Sequence, residues 1–122
     1  MGEKFEIRKA KREDIKLIFG FIKELADYEK MSDEVIATED TLSYWLFDKK
    51  IGETLFIMVD DKEVGFALYF FNFSTFVGRA GLYLEDLYIR KEYRGRGYEQ
   101  ESLMNLLRLL LKMIAKDLSG AA

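Results

Sequence analysis

An α+β fold follows from three features of the sequence. Strand-like and helix-like runs alternate in the order β-α-α-β-β-β-α. Three of the four strands are consecutive, as a mainly antiparallel sheet requires. Apolar residues make up 49% of the chain, enough for a packed core. At 122 residues, with no linker, repeat or low-complexity tract, the chain is expected to form one domain. Phe5–Arg8 alternates like a short strand. Across 12–30, Ile15, Ile18, Phe19, Ile22, Leu25 and Ala26 recur at helical spacing. Thr38 suits an N-cap, with Glu39 and Asp40 in a first turn that favours negative charge. That second helix is expected to turn Leu42, Trp45 and Leu46 inward. Runs at 54–59 and 64–73 predict a hairpin about Asp60-Asp61-Lys62. A further strand is expected at 82–89. Gly95 and Gly97 then break it from a long helix over 99–118.

Composition narrows the chemistry. The chain contains no cysteine and no histidine, which excludes thiol nucleophiles, disulfides and histidine-based triads and leaves no expected metal site. Acid–base work falls to carboxylates, tyrosine, lysine or water. A net charge of −3 argues against a nucleic-acid partner. Residues 1–10 lack the apolar core of a signal peptide, and Arg108 and Lys112 interrupt the richest apolar run, so a cytoplasmic protein with no membrane partner is expected.

The stretch "RGRGYEQES", residues 94–102, follows a strand and opens a helix. Such a turn presents backbone N–H groups to an anion, glycine permits close approach, and Arg94 and Arg96 add charge suited to phosphate. The same glycines also serve a merely sharp strand–helix connection. The longer stretch "LYLEDLYIRKEYRGRGY" resembles the acetyl-CoA-binding segment of the GNAT superfamily of N-acetyltransferases, whose pattern is Arg/Gln-x-x-Gly-x-Gly/Ala. "FEIRKAKREDIKLIFGFIKELADYEKM" and "GFALYFFNFSTFVGR" resemble the spermidine/spermine and thialysine branch. The resemblance covers Phe5 to Tyr98. It implies a GNAT fold, acetyl-CoA as co-substrate, a small primary amine as substrate and a homodimer. It places the pyrophosphate on Arg94, Gly95, Arg96 and Gly97, with Tyr98 also binding the coenzyme, and the pantetheine arm along the backbone of Leu87, Tyr88 and Ile89. It sets Glu85 and Asp86 at the amine as catalytic carboxylates, with Tyr28 and Glu29 lining the substrate end. Ser74 stands where the branch often has an acid, which favours a diamine or lysine analogue over spermine. For Tyr28 and Glu29 an ordinary helix end remains an equal reading. A non-catalytic remnant that binds CoA weakly or only self-associates, and an unrelated domain holding another phosphate ligand, are the rivals.

The pattern breaks at Glu99, where the last small residue of the motif is expected and where a carboxylate repels phosphate. Beyond Tyr98 the residues no longer read as the family: the fifth strand and the later tyrosine region that supplies the general acid are missing. Restoring one base, a G, after the Tyr98 codon lets the tail be read, with suitable synonymous codons, as "GTRIFNEFTKIAIENDCKRFEWCCLD". This begins with the expected glycine and ends in a strand like the family's fifth. Residues 1–98 are thus expected to be family-like, and 99–122 a frameshifted helical tail truncating the domain. In that tail Asn105, Arg108, Lys112 and Lys116 form a polar stripe, while Leu103, Leu106, Leu107, Leu110, Leu111, Ile114 and Leu118 cover most of the rest. So broad an apolar face predicts exposed apolar surface and self-association. The encoding DNA tests the frame. One base restored after codon 98 is expected to open a reading frame of family character; unrelated sequence there excludes the frameshift.

Overall fold

The computed structural model describes residues 3–120, and the side chains of 113, 114 and 116–120 lie outside that description. Strand β1 (Phe5–Lys9) leads through a single tight turn at Arg12–Asp14 into helix α1 (Ile15–Tyr28). Helix α2 (Glu39–Ser43) runs on into a widened turn at Tyr44–Asp48. Strands β2 (Glu53–Val59), β3 (Lys62–Ser74) and β4 (Arg79–Ile89) follow, and helix α3 (Tyr98–Gly120) comes last. The sheet order is β1-β2-β3-β4, every neighbouring pair antiparallel. The α+β order read from the sequence is therefore the order observed.

Local chemistry explains the element ends. Asp14 ends the approach to α1: its carboxylate accepts the Lys11 N–H at 2.8 Å and pairs with Arg8 at 2.9 Å. That pairing starts α1 later than the apolar spacing suggests. Thr38 caps α2 by accepting the Thr41 N–H at 3.1 Å. Asp60 and Asp61, with φ of 50° and 64°, form the two-residue turn whose twist suits a hairpin. Lys62 already belongs to β3.

Two layers of helix cover the sheet. Ile18 and Phe21 of α1 pack on Phe56, Phe66 and Leu68, with Leu46 and Phe47 closing the side. On the other face Tyr98 joins Ile57, Val59, Val64 and Ile89, while Leu106 and Leu109 cover Leu55, Ala67 and Tyr69. Trp45 does not turn inward as the spacing predicts; it is 52% exposed and packs edge-on against Tyr44 at 5.0 Å. The cause is the widened turn, where Lys49 N–H reaches back five residues to Tyr44 O. More residues per turn rotate Leu46 and Phe47 toward the core and Trp45 away.

Strand β4 carries the feature that positions the site. Leu68 opposes Asp86 and Tyr69 opposes Leu84, so Glu85 is an extra residue, a β-bulge. The bulge switches the alternation. Leu82, Leu84, Leu87 and Ile89 all meet the α3 side, while Tyr88 meets the α1 side. Gly65 lets β3 and β4 approach, because a Cβ there would stand 2.4 Å from Tyr88 O.

Helix α3 seats Tyr98, Ser102 and Leu106 against the sheet. Leu103, Met104, Leu107 and Leu111 stay exposed, as the breadth of the apolar face predicts. Ile114, Lys116 and Leu118, assigned to that helix by spacing, lie outside the described side chains.

Candidate functional site

The bulge falls at two adjacent carboxylates of β4, Glu85 and Asp86, near the Glu29 end of α1. Glu85 is exposed and Asp86 half-buried. Burial, with Glu85 second and Glu29 third, pushes the Asp86 carboxyl up to about 6. A carboxyl at that value is ionised at neutral pH and is a stronger base than an ordinary aspartate. Glu29 caps the C-terminus of α1, next to Tyr28, so the structure draws Glu29, Glu85 and Asp86 into one electrostatic neighbourhood.

A chain of contacts ties this region to the turn. Glu24 of α1 accepts two hydrogen bonds from Arg90, at 3.0 and 2.8 Å, and one from the Tyr88 hydroxyl at 3.3 Å. The Arg90 bonds hold the Glu24 carboxyl below its ordinary range, while burial and Glu24 push the Tyr88 phenol up. The Arg94 guanidinium lies 4.3 Å from the Tyr28 ring centre and 5.5 Å from that of Tyr88. Its Nε donates to Ile89 O at 2.6 Å. Tyr28 is 63% exposed, so one of its faces covers Arg94 while much of the ring meets solvent.

The turn itself is open. Gly95 and Gly97 have φ of +77° and +82°, a backbone region that favours glycine, and a Cβ on either would meet nothing within 4 Å. Helix α3 begins at Tyr98, so its first N–H groups point toward the turn with the positive end of the helix dipole. This backbone suits a pyrophosphate. The two arginines are arranged otherwise than a simple phosphate clamp. Arg94 is stacked on tyrosines, and Arg96 donates to Glu92 O at 2.9 Å and to the Glu3 carboxylate. Glu99 sits in the first helical turn.

Of the coenzyme residues read from sequence, Leu87 and Ile89 pack inward toward α3, and Tyr88 faces α1. Their backbone pairs with Ala67, Gly65 and Phe66 of β3 on one side. Among the described residues, no strand pairs with the other side. Glu24, Arg90 and Glu3 escaped sequence reading. Glu24 carried a faint signal, as a charge on the helix face that holds Phe21 and Tyr28. Two clefts, of about 170 and 230 Å³, lie between the widened turn and the start of β2 and between α1 and the 32–35 segment, and neither includes Glu85, Asp86 or the glycine turn.

The acetyltransferase (GNAT) family model matches residues 20–116. The chain belongs to the GNAT acetyltransferase family. Sequence reading ended the resemblance at Tyr98, whereas the family match runs on through most of α3. A relative is thialysine N-epsilon-acetyltransferase of Bos taurus, 42% identical over 104 residues, covering 75% of this chain. The chain spans 58% of that relative's length. A possible acetyltransferase from Clostridium difficile 630 superposes with a TM-score of 0.59 at 28% identity, covering 90% of this chain and 70% of that one. An aminoglycoside N-acetyltransferase solved in complex with CoA shares the GNAT fold at a TM-score of 0.69 and 15% identity, covering 93% of this chain and 73% of that one.

The raised carboxyl gives a stability signature. Asp86 binds its proton more tightly folded than unfolded, where 3.8 is ordinary. Its contribution is therefore complete below about 4 and lost as pH rises through about 6. Asp86→Asn is expected to be more stable than the parent at pH 8 by about 1–3 kcal/mol, a few degrees in Tm. The gap should close as pH falls toward 4 in melting curves followed by circular dichroism. A gap constant with pH would show Asp86 ionised throughout.

Proposed function

We propose that this chain is an acetyl-CoA-dependent N-acetyltransferase domain for a small primary amine, such as a diamine or lysine analogue, with impaired turnover in this form. The observation that supports the reading is a strand whose bulge carries Glu85 and Asp86 near Glu29 of α1 and which leads on to a glycine turn and a helix N-terminus. The bovine relative, named for acetylating thialysine, supports the amine class. Bound acetyl-CoA supplies the thioester to be attacked. The N–H groups at the start of α3 hold its pyrophosphate, and the edge of β4 orients its arm. Glu29, Glu85 and Asp86 attract the ammonium substrate. Asp86, or Glu85 through a water, takes the proton that the ammonium must lose before its nitrogen can attack. Turnover is impaired because Glu99 places a negative charge at the anion site, and because one open edge of β4 orients the thioester poorly. Orientation is worth roughly 7–11 kcal/mol in favourable cases.

CoA is expected to raise Tm more than tripolyphosphate does. Glu99→Gly should tighten CoA binding about threefold to tenfold, the size of a charge effect at a helix terminus. Its turnover with diamines should stay near background, whereas a chain repaired in frame after Tyr98 should acetylate them. Equal stabilisation by any polyphosphate would favour a generic anion turn, and no stabilisation a remnant. Equal turnover by the 122-residue and repaired chains would show that 99–122 is a working part of the enzyme.

Self-association belongs to the same proposal. Leu103, Leu107 and Leu111 expose one helical stripe, and the outer edge of β4 offers unpaired backbone. Light scattering across a concentration series should give a dimer or larger. A monomer at high concentration would remove this part.

A further inference from the structure

The arginine in the middle of the glycine turn is already held by the protein. Arg96 Nη1 and the Tyr98 hydroxyl both donate to the Glu3 carboxylate, one to each oxygen. Arg96 Nη2 donates to Glu92 O at 2.9 Å, and the guanidinium lies 5.3 Å from the Tyr93 ring centre. Glu3 is set there by its neighbours. Lys4 exchanges hydrogen bonds with Asp60, its N–H to Oδ1 and its carbonyl from the Asp60 N–H, each at 2.9 Å. Phe5 stacks on Tyr98, with ring centres 5.2 Å apart and planes 14° from parallel. The residue before this double anchor therefore reaches the first turn of α3. A carboxylate and a phosphate seek the same fork of guanidinium donors. Arg96 gives one edge to a backbone carbonyl and one terminal N–H to Glu3, so a phosphate engaging that N–H must displace the carboxylate.

We propose that Glu3 is an internal competitor for phosphate at the coenzyme turn and sets how tightly the turn binds its phosphorylated ligand. The proposal rests on reading the turn as the coenzyme site. In the resting chain Glu3 neutralises Arg96 and ties β1 to α3. When coenzyme binds, a phosphate oxygen takes the Glu3 place on Arg96, and Glu3 swings to solvent, 35% of its side chain being exposed already. The competitor lowers affinity for CoA and discriminates against ligands too weakly charged to displace it.

Isothermal titration of the full chain and of Glu3→Gln tests this, with CoA and 3′-dephospho-CoA as probes. Glu3→Gln should bind CoA about threefold to tenfold more tightly, the scale of one charge-assisted hydrogen bond regained. An equal gain for both probes identifies the pyrophosphate as the group that meets Arg96. A gain for CoA alone identifies the 3′-phosphate. Either supports the proposal. In an Arg96→Leu background, Glu3→Gln should change nothing. A gain that persists there is a general charge effect and overturns the proposal. So does an unchanged or weaker affinity in Glu3→Gln while the parent binds CoA, and that result leaves the coenzyme reading intact. No CoA binding by any of these chains, with their melting curves showing folded protein, overturns the coenzyme reading and this inference together.

Discussion

One inserted residue governs the architecture. With strict alternation along β4, Asp86 would share a face with Leu82 and Leu84, against α3. A carboxylate placed there would be desolvated among leucines, at a cost of several kcal/mol unless it stayed protonated. Glu85 as a bulge removes the conflict. It lets Leu82, Leu84, Leu87 and Ile89 all meet the α3 side. It also turns Tyr88 to α1, where Phe21 packs at 6.3 Å between ring centres. The same insertion leaves Asp86 half-buried with a raised carboxyl, so the packing of both faces and the state of that carboxyl depend on one backbone event.

From Tyr88 the arrangement propagates to both ends of the site. Glu24 joins α1 to β4 through Arg90 and Tyr88, and Arg90 also lies over the Phe21 ring at 4.9 Å. Arg94 then links Tyr28, at the end of α1, to Ile89 O at the end of β4. Hydrogen bonds with a charged partner are stronger than neutral ones, and these are partly screened from water. These contacts join the α1 terminus to the segment that leads into the glycine turn. Arg94 acts as a strut between α1 and the end of β4, and under the proposed function phosphate recognition would fall mainly to backbone N–H groups and to Arg96.

Legibility in the sequence followed the range of each interaction. Elements set by neighbours were readable: the α1 periodicity, the Thr38 cap, the aspartate hairpin and the glycine turn all rest on residues within four positions of one another. The bulge was half readable. Its trace is the change from Leu82 and Leu84 to Leu87 and Ile89, even positions giving way to odd, and no residue type marks it. Trp45 misled because helical spacing was extended through a segment that widens into a five-residue turn. The partner of Arg96 was not readable at all, since Glu3 lies 93 positions away and is brought near only by β1 pairing and the Phe5–Tyr98 stack.

Helix α3 shows how little the packing of this fold asks of the sequence that covers the sheet. What the sheet asks of a covering helix is modest: an aromatic at 98, a small residue at 102, and leucines at 106 and 109, spaced to face one side. Ser102 meets the demand for smallness by returning its hydroxyl to Tyr98 O at 2.7 Å, so it is buried without an orphaned donor. A leucine-rich segment satisfies such a pattern easily, since cores accept apolar residues of about the right size. The surplus leucines then fall on the solvent side, at 103, 107 and 111. A turn that is to hold an anion is less permissive, because a carboxylate at 99 opposes the positive end of the helix dipole. The helix can therefore complete the sheet's core whatever charge stands in its first turn, and the fold does not depend on that turn being fit to hold an anion.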